Sequence, residues 1–113
     1  MKNVVSPILN AMVNEFFTEA EDDLVGLWEI VSEVEERTGA AEQVLREQTL
    51  EVVRELLVHG LVAGNPPYSV HGYRPWTDQR PDAVIDRIRS EWIALGRIPN
   101  IPDIAWFARP DWA

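Results

Sequence analysis

Apolar residues recur at three- and four-residue spacing through the first half of the chain, the period of helices that each bury one face. Leu9, Met12, Val13 and Phe16 form the first stripe. Ahead of it stands Ser6-Pro7, a good N-cap followed by a proline where its missing N–H does no harm, which predicts a helix over about 7–17. Thr18-Glu19-Ala20-Glu21 has the spacing of a capping box, with Asp22 and Asp23 in the first turn of the helix it would open. A second helix is therefore expected over 19–38, with Leu24, Leu27, Trp28, Val31 and Val34 inward and Gly39 as its C-terminal cap. The third stripe (Ala41, Val44, Leu45, Leu50, Val53, Leu56, Leu57) skips between Leu45 and Leu50. Glu47-Gln48-Thr49 then reads as a tight turn between a short helix at 40–46 and a longer one at 48–59, closed by His59-Gly60.

Past this point the pattern changes, and seven of the eight prolines lie beyond residue 65. Leu61 to Gly64 predicts a short strand, Gly64-Asn65-Pro66-Pro67 a turn, and 68–75 a returning strand broken at Gly72. Pro81-Asp82 opens a helix over 81–96 with the stripe Val84, Ile85, Ile88, Trp92, Leu95 and a stop at Gly96. A loop follows, and the β-prone run 104–108 predicts a third strand, with alternation turning one of Trp106 and Phe107 inward and the other outward. The fold class expected is α+β: one mainly helical domain over 1–113, its helical half about 7–60, with a small antiparallel sheet drawn from 61–113.

This order of elements, carried by Val53-Arg-Glu-Leu-Leu-Val-His-Gly-Leu-Val-Ala-Gly64, resembles a winged helix-turn-helix over about residues 23–76. In that family a leucine pair ends the last helix, glycine turns the chain, and Gly-Leu-Val enters the wing. The segments 23–30 and 92–107 also resemble a group of small acidic bacterial proteins with no assigned activity. The winged-helix likeness implies DNA binding, but its recognition helix ordinarily carries basic and amide side chains. Here the equivalent segment carries Glu47, Glu51 and Glu55 around Arg46 and Arg54.

Charge sharpens that departure. From Glu15 to Glu55 thirteen acids face three arginines, a net of −10 within a chain of net −9. Such a surface repels phosphate backbones and attracts basic proteins. With no cysteine there is no disulfide, thiolate nucleophile or cysteine-based zinc site. The opening segment, interrupted by Pro7 and Asn10, is too short an apolar run for a signal peptide, and no stretch is long enough for a membrane span, so a cytoplasmic protein is expected. His59 and His71 lack metal-ligand spacing, and His59 reads as a helix C-terminal cap. Neither a phosphate-binding glycine loop nor a nucleophile elbow occurs. No enzyme, cofactor or metal is expected.

Trp28 and Trp92, on apolar helical faces, are expected in the core, whereas Tyr73, Trp76 and Trp112 lie among prolines and polar residues where partial exposure is expected. Exposed aromatics are favoured interface anchors. Glu47, Glu51, Glu55, Tyr73, Trp76 and Trp112 are thus the expected partner-binding residues, and a protein is the expected partner. The sharpest form of this reading is an immunity protein (antitoxin) covering a basic nuclease-type toxin. The alternatives are a winged-helix transcriptional regulator, with Arg74, Arg80, Arg87 and Arg89 as its phosphate contacts, and an accessory or structural subunit.

Overall fold

The structure is a computed structural model that describes residues 7–67 and 72–112, with only the backbone of Trp112. Ser6, Tyr68 and His71, which entered the expectations above, lie outside the described residues. Among the described residues four helices carry the fold: α1 (Pro7–Glu19), α2 (Leu27–Thr38), α3 (Glu42–Val58) and α4 (Pro81–Leu95). Three short strands, β1 (Val25–Gly26), β2 (Val62–Gly64) and β3 (Trp106–Ala108), form an antiparallel sheet in the order β1-β3-β2, and a 3-10 turn, Pro110–Trp112, ends the description. The protein is an α+β fold, mainly helical.

α1 buries Leu9, Met12, Val13 and Phe16, the stripe its spacing predicts. The expected capping box at Thr18 does not form. The Thr18 hydroxyl donates instead to the Asn14 carbonyl at 2.9 Å, within the last turn of α1, and the chain turns through residues 20–23. The second helix therefore starts at Leu27 rather than 19, and Val25–Gly26, expected to be helical, is a strand. Its cap lies further on. The Gly26 N–H donates to Glu29 Oε2 at 2.8 Å, and the Leu27 N–H to the Ala105 carbonyl at 3.0 Å. Glycine is needed at 26 because a Cβ there would fall 2.6 Å from Trp28 Cδ1 and 2.9 Å from the Trp106 ring. At the other end Gly39, in the left-handed region at φ 70°, closes α2 with its N–H on the Glu35 carbonyl.

α3 is one continuous helix of 17 residues, so the turn expected at Glu47-Gln48-Thr49 is corrected. The skipped apolar position is filled by Thr49, fully buried in line with Leu45, Leu50, Val53 and Leu56. A polar residue on the inner face had imitated a break. α3 packs against α1, α2 and α4, and its buried side chains are the centre of the core. α4 keeps its predicted limits: Pro81 at the first turn, Gly96 at φ 73° as the stop, with Val84, Ile85, Ile88 and Trp92 buried.

The predicted third strand is the middle of the sheet. Phe107 pairs with Val25 on one side and Ala63 on the other. Both Trp106 and Phe107 are buried, against the expected split, because the outward face of the sheet is covered as well. There Trp106 lies over Gly26 beside Trp28, and its Nε1–H donates to the Ile101 carbonyl at 3.0 Å. The returning strand at 68–75 is reduced, among the described residues, to one bridge between Gly64 and Pro75. Pro75 has no N–H to extend that ladder, and β2 pairs along its other edge with β3.

Candidate protein-binding surface

The six expected partner-binding residues do not form one surface. Glu47 is half-buried and tied into the fold: Arg89 donates to both of its oxygens, at 2.9 and 3.1 Å, and Arg46 Nε approaches at 3.1 Å. The Arg89 hydrogen bonds, helped by Arg46 and opposed by partial burial, hold its carboxyl below the usual carboxylate range. With Arg54–Asp82 at 2.6 Å, this pair clasps α3 to α4. Glu51 is exposed and Glu55 half-exposed, and neither carboxylate has an ion pair among the described residues. They share the solvent face of α3 with Val44 and Val58, which are 56% and 62% exposed. Two acids between two bare valines is a surface sequence reasoning half found. Val44, placed in the buried stripe, faces outward because the stripe runs through Leu45 and Thr49.

The aromatic residues are corrected more firmly. Trp76 is 6% exposed, its Nε1–H donates to Asn65 Oδ1 at 3.0 Å, and the Arg87 guanidinium lies 3.7 Å from its ring centre. Tyr73 is half-buried with its hydroxyl donating to the Val62 carbonyl at 2.9 Å, and burial pushes its pKa up to about 12. Both fasten the segment after residue 72 onto β2. Gln79 completes the fastening, accepting from the Ala63 N–H at 2.9 Å and donating to the Ala63 carbonyl at 2.8 Å. Trp112 is placed at the end of the 3-10 turn, and its side chain lies outside the described residues. Of the two helical tryptophans expected in the core, Trp92 is buried and Trp28 half-buried, its Nε1–H enclosed and without a partner among the described residues. His59 caps α3 as expected, its Nδ1 2.7 Å from the Glu55 carbonyl.

Among the described residues the bases are almost all engaged. Arg37 bridges Glu15 and Glu33, Arg80 holds Asp78, Arg87 holds Glu91, Arg97 holds Asp103 and Arg109 approaches Asp111. Arg89 adds Asp86 to Glu47. Three of the four arginines considered as phosphate contacts (Arg80, Arg87, Arg89) thus face carboxylates of their own chain. Glu35, Glu36 and Glu42, like Glu51 and Glu55, have no such partner among the described residues.

One cleft escaped the sequence reading. Between α1 and α2, Glu15, Glu19, Glu29, Glu33 and Arg37 line a hollow of about 410 Å³ beside Trp28. Glu19 is exposed as a residue, but its carboxyl turns toward Glu29. Desolvation, then the hydrogen bond and charge of Glu29 and the charge of Asp23, push its pKa up to about 7. The folded protein therefore holds a proton that an unfolded chain releases near 4.5, so stability falls as pH rises from about 4.5 through about 7 and levels off above. Glu19→Gln, neutral throughout, is expected to melt higher than wild type at pH 8 and together with it at pH 4. Thermal melts across that range check this, and parallel curves would mean the Glu19 carboxyl titrates alike in the folded and unfolded chain.

Among the described residues no cluster of histidine and carboxylate side chains is placed to hold a metal, and no helix is long and apolar enough to cross a membrane. No protein-family model, curated protein or solved structure matches the chain.

Proposed function

We propose that this protein works by binding a basic protein, and that it is an immunity protein whose acidic surface covers the phosphate-binding site of a nuclease-type toxin. The observation that carries this reading is the one-sided ion pairing. Arginines across the molecule are neutralised internally, while Glu51 and Glu55 on α3, and Glu35, Glu36 and Glu42 around its start, are left for an outside cation. Exposed Val44 and Val58 supply apolar contact beside those charges. Nucleases gather arginine and lysine to hold phosphates, so a carboxylate-rich helix matches them in charge, and close pairs of this kind both steer encounter and slow release.

A winged-helix DNA-binding regulator is the second reading. The succession helix, strand, helix, helix, strand and the β1-β3-β2 sheet favour it. Against it stand Glu51 and Glu55 on the solvent face of α3, where duplex binding would want several bases. α4, inserted between β2 and β3 where a simple wing would turn, is a further departure.

The test is capture from the native host with wild type and with the double variant Glu51→Lys/Glu55→Lys. Glu47 is left alone, since a lysine there would face Arg89 and Arg46 and test folding instead. One basic protein should bind wild type stoichiometrically, and the variant should fold but bind it about tenfold or more weakly, mainly through slower association. Salt-sensitive binding of generic duplex DNA at low micromolar protein, with no protein partner, would overturn the proposal in favour of the regulator.

A further inference from the structure

A second feature tells what kind of segment such a partner would insert. Where α3 begins, a groove of about 400 Å³ opens between the start of that helix and the end of α4. Its floor is Leu45 and Trp92, both buried, and its outer walls are Ile93 and Ile98, which are 56% and 45% exposed. Here two large aliphatic side chains stand open over an apolar floor, and the volume is that of a site for one or two side chains. The charge around it has one sign to offer. Arg46 and Arg97 line the groove but already bond Glu47 and Asp103, whereas Glu35 and Glu42 line it with no ion pair among the described residues. Glu42 also stands at φ 51°, a left-handed backbone that a non-glycine residue adopts only under constraint, and this sets the corner at which α3 enters the groove.

We infer that this groove binds a protein segment in which an apolar side chain is flanked by lysine or arginine, the apolar group seated between Ile93 and Ile98 over Trp92 and the cations meeting Glu35 and Glu42. The inference rests on the protein-binding reading above and names a separate contact for it. An anionic segment is disfavoured by the two carboxylates at the rim. A second copy of this chain would bring its own surplus of acids to the same rim.

The probe is a blocked hexapeptide with two central leucines flanked on each side by lysine and arginine, beside a counterpart with glutamate and aspartate flanks. Binding is followed by the methyl NMR signals of isotopically labelled isoleucines. The basic peptide should shift Ile93 and Ile98 saturably and the acidic one should not. Glu35→Gln/Glu42→Gln should weaken binding at least about fivefold, the share expected of two close charge pairs. Ile93→Gln/Ile98→Gln, changing only exposed side chains, should abolish binding as read by titration calorimetry with the same peptide, while leaving the melting curve in place. Equal binding of both peptides, shifts confined to other isoleucines, or no binding would overturn the inference. If binding of the captured partner is lost in Glu51→Lys/Glu55→Lys and untouched in Ile93→Gln/Ile98→Gln, the groove is wrong and the protein-binding reading stands on the α3 face alone.

Discussion

Phe107→Ala should destabilise the protein by about 3–5 kcal/mol, on the order of 10–20 °C in melting temperature. Phe107 is fully buried at the middle of the central strand, paired across to Val25 and to Ala63, and it is among the largest fully buried side chains. Its neighbours cannot close over the space. Val25 and Ala63 are held in register by backbone pairing, and the helical core on the inner side is already filled by Leu27, Ile30 and Leu56. Losing the ring therefore removes the transfer energy of a phenyl group and leaves much of its cavity. Because β3 lies between the other two strands, the loss should also loosen β1 and with it the start of α2, where the Leu27 N–H leans on the Ala105 carbonyl. Chemical unfolding of both proteins checks this. A variant within about 1 kcal/mol of wild type would mean that the sheet does not tie the two ends of the chain together, since small losses are typical only of sites that collapse or are exposed.

What could be seen in the sequence was whatever depends on near neighbours. The stripes of α1 and α4 and the glycine stops at 39 and 96 are local patterns, and each appears where its spacing puts it. β1 could not be seen that way. It is two residues long, too short to show a strand's alternation, and its pairing partners are Trp106 and Phe107 near the far end of the chain. A local clue was present all the same, in Gly26 with Glu29 three residues on, which is the cap that α2 uses. Thr49 misled in the opposite way: one hydroxyl on an apolar face looked like a turn, though a helix anchored on either side by buried Leu45, Val52 and Val53 runs through it.

The candidate surface was legible to the same degree. Glu47, Glu51 and Glu55 stand at one helical spacing and look equivalent, yet Glu47 is removed from the row by Arg89, 42 positions away. No local rule separates the structural acid from the available ones. Trp76 shows the same limit for aromatics. Its polar and proline-rich surroundings argued for exposure, but Asn65 and Arg87 arrive from other elements to enclose it. The outcome is a surface simpler than the composition implies. Most of the arginines are structural, some acids are structural with them, and what is left over is negative charge: Glu21, Asp22 and Asp23 in the turn after α1, and a second group on α3 and around its start that is interleaved with valine and isoleucine.

Gly64→Ala carries the second large effect, and it does so without a conformational argument, since Gly64 does not occupy the left-handed region. The limit is space. A Cβ at 64 would lie 2.5 Å from the Arg74 carbonyl oxygen and 2.8 Å from two carbons of the Tyr73 ring. The carbonyl cannot drift away cheaply, because it accepts the Asn65 N–H at 2.9 Å and the next turn of chain is held by the Trp76 N–H on the Ala63 carbonyl at 2.9 Å. Nor can Tyr73 rotate freely while its hydroxyl donates to the Val62 carbonyl. On the other side Gly64 is paired to Trp106, so moving β2 would disturb the sheet. One methyl group should therefore destabilise the protein at the upper end of the roughly 1–3 kcal/mol typical of overpacking, or beyond it. It should also change the near-ultraviolet circular dichroism of the tryptophans, because Trp76 is the side chain this fastening encloses. Unfolding curves and spectra that both match wild type would show that residues 72–76 do not press on β2, and would free Tyr73 and Trp76 for the interface role their sequence surroundings first indicated.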